Sequence, residues 1–369
     1  MNVYLLTQTY LSDDGTSEVY SGLQRYIREL TRLVVSRNMN CIVIQKADRP
    51  FERETSAGVR VVGIPAGPAS SADPYFNYRA HKLIPEDAPI IYCLVELTFP
   101  CVRRRSIAIQ HGIWWDGEFS SWKIGFIRYV NQRALRRVQS VICVDTNYIN
   151  WALSALGVYG LVADKCQYVP NFVDPCSFGS NGASTRDSQQ DPIVLFPRRC
   201  ENKRGATLFL DACLRLWREG RVFQAKFCGW GSMEPEIKQL VRESGYSDRV
   251  TVTDVSFDEM PRVYRDAEIV VIPTVRHEGT SLSCVEALYM GKPVIATYVG
   301  GLPNLVIPRV NGELVPPTVD QLCRAIARLL DSPELRAQYA KAAKNMAQEF
   351  SLPNWRNSVW TVIQNCLLN

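Results

Sequence analysis

At 369 residues the chain is too long for one ordinary core and suits two domains of roughly 150 to 200 residues each. Hydrophobic residues make up 46% and charged residues 21%, the balance of a soluble globular protein, and 10% aromatic residues exclude a disordered chain. A net charge of +5 over that length is too small to mark a nucleic-acid binder.

From the amino terminus, short runs rich in Val, Ile and Tyr recur: from Val3 to Thr7, Cys41 to Gln45, Val59 to Gly63, Ile90 to Leu94, Ser106 to Gln110 and Ser140 to Val144. Amphipathic helical patterns lie between several of them. The clearest, SGLQRYIRELTRLVVSR, sets Leu23, Tyr26, Ile27, Leu30, Leu33 and Val34 on one helical face. Strands alternating with helices predict a parallel sheet covered on both faces. The stretch GSNGASTRDSQQDP, 179–192, lacks any large apolar residue and has the composition of a linker. Beyond it the alternation restarts: strands at 193–196, 222–228, 250–253 and 269–272, helices near 205–218 and 234–244. A second doubly wound domain is expected. Past Gly312 the chain reads as three helices, near 319–330, 333–349 and 353–367.

Twelve cysteines occur singly, without a CxxC pair, which fits buried thiols in a reducing cytosol better than a disulfide frame or a zinc site. The amino terminus has no basic segment leading into a long apolar one, and no apolar run approaches 18 residues, so neither a secretion signal nor a membrane span is expected.

Two open sheets facing one another leave a crevice in which ligands bind, and several motifs fall at strand ends that would line it. HEGTSLSCVEALYMGKPV, 277–294, holds two glutamates eight positions apart. One continuous helix would set them about 80° apart, so a loop entering a helix fits better. The strand ending at Ile272 is closed by Pro273, Glu278-Gly279 turns, and Ser281 or Ser283 caps a helix running to about Met290. The backbone N–H groups of Thr280, Ser281 and Leu282 then favour an anion. Glu286, further along the helix, suits the vicinal hydroxyls of a ribose. The same letters also describe a solvated glutamate beside an ordinary amphipathic helix.

LFPRRCENKRGATLFLDA, 195–212, runs from a strand into a basic turn bearing Arg198, Arg199, Lys203 and Arg204. Arginine binds phosphate bidentately and lysine as a point charge; an exposed basic turn is the bland alternative. His111 in AIQHG, one of three histidines, sits just past a strand, a catalytic position as well as a structural one. YVPNFVDPCSF, 168–178, reads as turn geometry. CGWGS, 228–232, offers Gly229 and Gly231 for close backbone approach to a ligand, but lacks the third glycine of a dinucleotide fingerprint.

In this order the motifs resemble the retaining GT-B glycosyltransferases of family 4 (glycosyl transferases group 1), along nearly the whole chain. SGLQRYIREL stands for the glycine-led first helix, VPNFVD for I-P-N-G-V-D and PRRCENKRG for G-R-L-x-x-x-K-G; EGTSLSCVEALYMGKPVIATYVGG joins E-x7-E to G-x-P-V-I-A and Gly-Gly. The resemblance implies an α/β GT-B fold: two facing Rossmann-like doubly wound parallel-sheet domains with an interdomain cleft. Residues 1–180 would form the acceptor-side domain, completed by the helix 353–369; 181–191 the linker; and 192–352 the donor-binding domain. It implies that Glu286 holds the nucleotide ribose and that Glu278 faces the donor sugar, with Thr280, Ser281 and Leu282 on the diphosphate. Arg198 and Lys203 would neutralise the departing diphosphate, although Arg199 and Arg204 have the same spacing. His111 matches a histidine near donor sugar and acceptor. Departures from the pattern are Asn304 for a common Glu, Pro197 for Gly, EGTS for EGFG, and a first loop whose donor-contacting glycine is Gly22 or Gly15.

The expected activity is transfer of a hexose-type sugar from a nucleotide-diphosphate sugar, UDP- or GDP-linked, to a hydroxyl acceptor in cell-surface polysaccharide or glycolipid synthesis. No metal and no cofactor are expected: Lys203 and Arg198 supply the charge, and the sequence has no Asp-x-Asp triplet. Residues 103–137 carry Arg103, Arg104, Arg105, Lys123, Arg128, Arg133, Arg136 and Arg137 against Asp116 and Glu118, interleaved with Trp114, Trp115, Phe119, Trp122, Phe126 and Tyr129. That suits the anionic inner face of a membrane and a lipid-linked acceptor, or else aromatics packed inside the first domain. Three rivals remain: a sugar-nucleotide epimerase of the same architecture, a non-catalytic partner subunit, and an NAD-dependent oxidoreductase. The third would need a complete Gly-x-Gly-x-x-Gly, and the second the loss of a charge at Arg198, Lys203, Glu278 or Glu286.

Overall fold

The Val-, Ile- and Tyr-rich runs build two separate sheets. In this computed structural model, which describes residues 1–19, 21–67, 72–115, 119–179 and 190–368, the chain divides into two units: Met1–Pro170 with Trp355–Asn369, and Asn171–Asn354.

The first unit holds β1 (Asn2–Thr7), β2 (Asn40–Ala47), β3 (Phe51–Glu54), β4 (Arg60–Pro65), β5 (Ile90–Tyr92), β6 (Ser106–Gln110), β7 (Ser140–Cys143) and β8 (Cys166–Tyr168), in the order β3-β4-β2-β1-β5-β6-β7-β8. All neighbours are parallel except β3 with β4. β3 escapes prediction because its sequence, FERE, is exposed and has no apolar alternation. Its Phe51 ring nevertheless packs over Gly63 and Gly15, where added Cβ atoms would meet it at 2.2 and 2.7 Å. The helices are α1 (Gly22–Ser36), α2 (Ala72–Leu83), α3 (Ser121–Arg137), α4 (Thr146–Ala155) and α5 (Tyr159–Lys165). Tyr26, Ile27, Leu30, Leu33 and Val34 of α1 are buried, the face that its periodicity predicts.

The second unit begins with α6 (Pro175–Phe178) and continues β9 (Ile193–Phe196), α7 (Ala206–Arg218), β10 (Gln224–Cys228), α8 (Glu234–Ser244), β11 (Val250–Thr253), α9 (Met260–Asp266), β12 (Ile269–Ile272), α10 (Leu282–Tyr289), β13 (Val294–Thr297), β14 (Gly312–Val315), α11 (Val319–Asp331) and α12 (Pro333–Met346). Its sheet runs β11-β10-β9-β12-β13-β14, every pair parallel. Alternate strand residues feed opposite layers. Val194, Phe196, Val271 and Ile295 pack with α7 and α11, whereas Leu195, Val270, Ile272 and Ala296 pack with α9 and α10. A strand buried on both faces has to be apolar throughout, and these are. β14 is a strand that the sequence pattern does not announce. Its buried Glu313 breaks the apolar run, and accepts from the Tyr339 hydroxyl at 2.7 Å with Arg328 at 3.3 Å.

The first unit ends at Pro170, not at residue 180. Val173 N–H donates to Phe350 O and Leu352 N–H to Val173 O, both at 2.8 Å, and Phe178 meets Phe257 edge-on with ring centroids 5.7 Å apart. These contacts hold 171–179 to the second unit. The last helix, α13 (Leu352–Ile363), followed by a π-helical turn, Gln364–Leu368, returns the chain to the first. There Trp355 meets Tyr26 edge-on at 4.9 Å, Arg356 Nη2 donates to Glu29 at 2.7 Å, and Arg105 Nε donates to Leu367 O at 2.7 Å. Of the expected linker, 181–189 lies outside the described residues. Among the described residues no helix is long and apolar enough to cross a membrane.

Candidate functional site

In the second unit β9 lies between β10 and β12, so the connections leaving β9 and β12 diverge to opposite sides of the sheet. Beyond the carboxyl ends of two such strands, an open parallel sheet leaves room for a ligand. Both motifs singled out from the sequence emerge there, 197–204 from β9 and 273–281 from β12.

Backbone contacts lock the two turns together. Gly205 takes φ +83°, and an added Cβ would stand 1.9 Å from Pro273 O; Val275 N–H donates to Lys203 O at 3.1 Å. Gly229 and Gly231, expected to admit a ligand, admit the basic turn itself. Their added Cβ atoms would meet Arg198 O at 2.7 Å and Cys200 O at 2.3 Å.

Inside this frame, the buried Arg198 guanidinium donates to the Glu278 carboxylate and to the Thr274 hydroxyl. Arg204 Nη1 reaches the same Glu278 oxygen at 2.8 Å, and Thr274 Oγ1 donates to it at 3.0 Å. Burial alone would raise the Glu278 carboxyl. The Arg198 and Arg204 charges, with hydrogen bonds from Arg198 and Thr274, outweigh it and hold the group below the ordinary carboxylate value. Thr297 of β13 donates to Thr274 O at 2.6 Å, tying this cluster to the next strand.

The spacing of the basic turn left two registers, Arg198 with Lys203 or Arg199 with Arg204. The structure brings Arg198 together with Arg204. Lys203, half exposed, lies 3.4 Å from Glu201, and Arg199 lies 2.9 Å from that residue. A short 3-10 turn, Asn202–Arg204, causes the difference: at three residues per turn, successive side chains point about 120° apart.

α10 begins at Leu282, with Ser281 as its extended cap residue. The Ser281 hydroxyl makes no capping bond and is buried without a hydrogen-bond partner. The Thr280 carbonyl accepts from Asn171 Nδ2 at 2.8 Å, and Ser283 Oγ donates to Pro197 O at 2.9 Å, fixing the helix start against the basic turn. Glu286, on the second turn of α10 and 6% exposed, accepts from the Tyr264 hydroxyl at 3.0 Å. Glu278 is thus in the loop and Glu286 in the helix, as their spacing requires. Gly300 and Gly301 back the loop: Gly301 N–H donates to Glu278 O at 2.9 Å, and a Cβ on Gly300 would lie 2.0 Å from that oxygen.

In the first unit His111 follows β6. Burial pushes its imidazole down to about 4, opposed by a hydrogen bond with the Cys93 backbone, so the ring is neutral near pH 7. Tyr26 meets the ring edge-on at 4.8 Å, and Nε2 is buried without a hydrogen-bond partner. Of the two candidate glycines, Gly22 is exposed at the start of α1, while Gly15 lies under the Phe51 ring.

Tyr264 and Thr274 are the site residues that sequence reasoning missed. Thr274 was findable, since it directly follows the β12 strand and Pro273. Tyr264 was not, because its partner Glu286 is 22 residues away on another helix. Among the described residues no three His, Cys, Asp or Glu side chains come together as a metal site.

Residues 181–346 match the family described as Glycosyl transferases group 1. Among curated proteins, the alpha-D-kanosaminyltransferase of Streptomyces kanamyceticus is 34% identical over 164 residues, covering 44% of this chain and 42% of that protein. The D-inositol 3-phosphate glycosyltransferase of Xylanimonas cellulosilytica is 25% identical over 92% of this chain and 90% of its own. The chain covers between 42% and 60% of the length of the first relatives it matches. Among solved structures, a sucrose-phosphate synthase of Thermosynechococcus elongatus aligns with TM-score 0.78 at 19% identity, over 99% of this chain and 98% of that one. Anabaena HepE in complex with UDP aligns with TM-score 0.77 at 18% identity, over 99% and 100%. The chain has the GT-B fold, and residues 181–346 of it match the glycosyl transferases group 1 domain.

Proposed function

We propose that this chain is a retaining glycosyltransferase of family 4. It moves a sugar from a UDP- or GDP-linked donor to a hydroxyl acceptor, in cell-surface polysaccharide or glycolipid synthesis. The observation that carries the reading is the meeting of a cationic turn, the amino terminus of α10 and a buried carboxylate at the switch point of one sheet.

The donor's diphosphate takes the amides at the start of α10 and the cations of the basic turn: Arg198, Arg204 and the more exposed Lys203. Glu286, oriented by Tyr264, accepts hydrogen bonds from the two ribose hydroxyls. Glu278 and the Thr280 and Ser281 hydroxyls face the transferring sugar. When the bond between the anomeric carbon and the phosphate oxygen breaks, its electron pair leaves with the diphosphate. The preorganised guanidiniums stabilise that charge, the electrostatic contribution that usually dominates such steps. The acceptor oxygen bonds to the anomeric carbon on the same face, and its proton goes to the departing phosphate. His111 of the first unit, the histidine that the resemblance assigns to the neighbourhood of the donor sugar, is neutral at working pH. These residues perform the reaction without a metal ion.

Support comes from the matched family over 181–346 and from relatives whose names are those of glycosyltransferases. The test is incubation with sugar nucleotides and a hydroxyl acceptor, with the product's anomeric configuration read by NMR. Transfer with retention, lost in Glu286→Ala, is expected. Inversion would overturn the mechanism, and conversion of the donor in the absence of acceptor would assign an epimerase.

A further inference from the structure

One surface takes no part in the site described above. α3 buries Ile127, Val130, Ala134 and Leu135 against the first unit. On the opposite side Trp122, Phe126 and Tyr129, spaced i, i+4 and i+7, are 70%, 44% and 52% exposed. The same stripe continues through Arg133 into the exposed Arg136 and Arg137, so the aromatic rings occupy its first half and guanidiniums its second. Five of the 17 residues of α3 are Lys or Arg and none is Asp or Glu.

The rings are held in place rather than loosely displayed. Phe99 meets Phe126 edge-on at 5.3 Å and Tyr129 at 6.1 Å, and Lys123 Nζ lies 5.8 Å from the Trp122 ring. Arg133 donates to Thr98 O at 3.1 Å and to Pro100 O at 2.6 Å, fixing the helix on that loop. Large exposed aromatic rings beside basic side chains exceed the scattered apolar residues normal for a protein surface.

We infer that this face of α3 docks on an anionic phospholipid bilayer, the helix lying along the interface. Trp and Tyr rings partition to the headgroup boundary, apolar body inward and polar tip in water. Basic side chains flanking them gain from the negative surface potential, about fivefold in binding for each one near the surface. Charge complementarity points to this occupant, because the stripe carries arginines and α3 has no Asp or Glu to repel an anionic surface. The inference does not depend on the transferase reading, and its test uses neither donor nor acceptor.

The test is co-sedimentation of the full chain with phosphatidylcholine vesicles, with and without phosphatidylglycerol, at low and at physiological salt. Binding is expected only with phosphatidylglycerol, and should weaken as salt rises. Trp122→Ser with Phe126→Ser should weaken it by about tenfold or more from lost aromatic burial, and Arg136→Glu with Arg137→Glu should abolish it. Circular dichroism should show both variants folded. No binding by the native chain at low salt would overturn the proposal. So would equal binding to pure phosphatidylcholine, or binding by the folded variants that matches the native chain. A concentration-dependent dimer abolished by the aromatic substitutions would instead assign the face to a second copy.

Discussion

Arg198 and Glu278 form an ion pair in which both side chains are almost fully buried, at 6% and 8% exposure. Removing one partner from such a pair strands a charge in a poorly solvated place, at a cost of about 3–5 kcal/mol. Glu278→Gln leaves the Arg198 guanidinium buried without its counter-charge, so the upper part of that range applies. Arg198→Met leaves Glu278 with Arg204 at 2.8 Å and the Thr274 hydroxyl at 3.0 Å, so the lower part applies. At about 2–4 °C of melting temperature per kcal/mol for a unit of this size, each single substitution should lower the transition by roughly 6–20 °C. The double variant Arg198→Met with Glu278→Leu removes both charges. Arg204, only 22% exposed but at the edge of the cluster, can then turn to solvent. Replacing a buried pair by apolar residues of similar volume is often neutral, so the double variant should melt above either single one. Scanning calorimetry on the four proteins gives the comparison. A double variant destabilised by the sum of the single effects would refute the view that these charges are coupled.

Three further outcomes follow from the geometry. Tyr264→Phe removes the hydroxyl that holds Glu286, a bond to a charged group worth about 1.5–3 kcal/mol. Nucleotide-sugar affinity should fall at least about tenfold with kcat little changed, measured as KM against kcat; an effect confined to kcat would contradict a ribose-positioning role. Gly205→Ala should be far more damaging than Gly220→Ala. Both glycines have positive φ, +83° and +85°, and share a backbone penalty of about 1–2 kcal/mol, but only at Gly205 would the new Cβ lie 1.9 Å from a backbone oxygen. Equal urea midpoints would show that the two turns are not locked together. Burial holds His111 at about 4, against 6.5 for an ordinary histidine, so the unfolded chain takes up this proton first as pH falls. The resulting loss of stability begins near 6.5 and levels off below about 4, and His111→Gln should reduce the steepness of stability against pH across that window. An unchanged slope would mean that the imidazole is not held neutral.

Much of this arrangement was legible before the fold was known, because the signals were local. Val, Ile and Tyr runs mark strands that are buried on both faces, and the spacing of Glu278 and Glu286 forbids a single helical face. What stayed hidden depends on distant contacts. The 3-10 turn at 202–204 decides that Arg204 rather than Lys203 meets Glu278, and no periodicity in a three-residue segment could reveal it. Gly229 and Gly231 were legible as points of close approach, but not the identity of what approaches them, the backbone of Arg198 and Cys200. The first unit's end at Pro170 follows from Val173 pairing with a segment near 351, beyond any local reading. On α3, hydropathy alone left two outcomes open for the aromatics. Trp115 is buried, while Trp122, Phe126 and Tyr129 remain exposed.

The central claim is that the loop and helix carrying Glu278 and Glu286, with the basic turn at 198–204, bind a nucleotide-diphosphate sugar. Calorimetric titration of UDP, GDP and their sugars into the native chain and into Glu286→Ala tests it most directly. The account predicts that at least one nucleotide-diphosphate sugar binds with one site per chain, and that Glu286→Ala weakens binding tenfold or more by about 1.4 kcal/mol or above. Its 2′-deoxy analogue should already bind weakly to the native chain and lose little more in the variant. Absence of binding by every nucleotide, or binding untouched by the loss of Glu286, would contradict it.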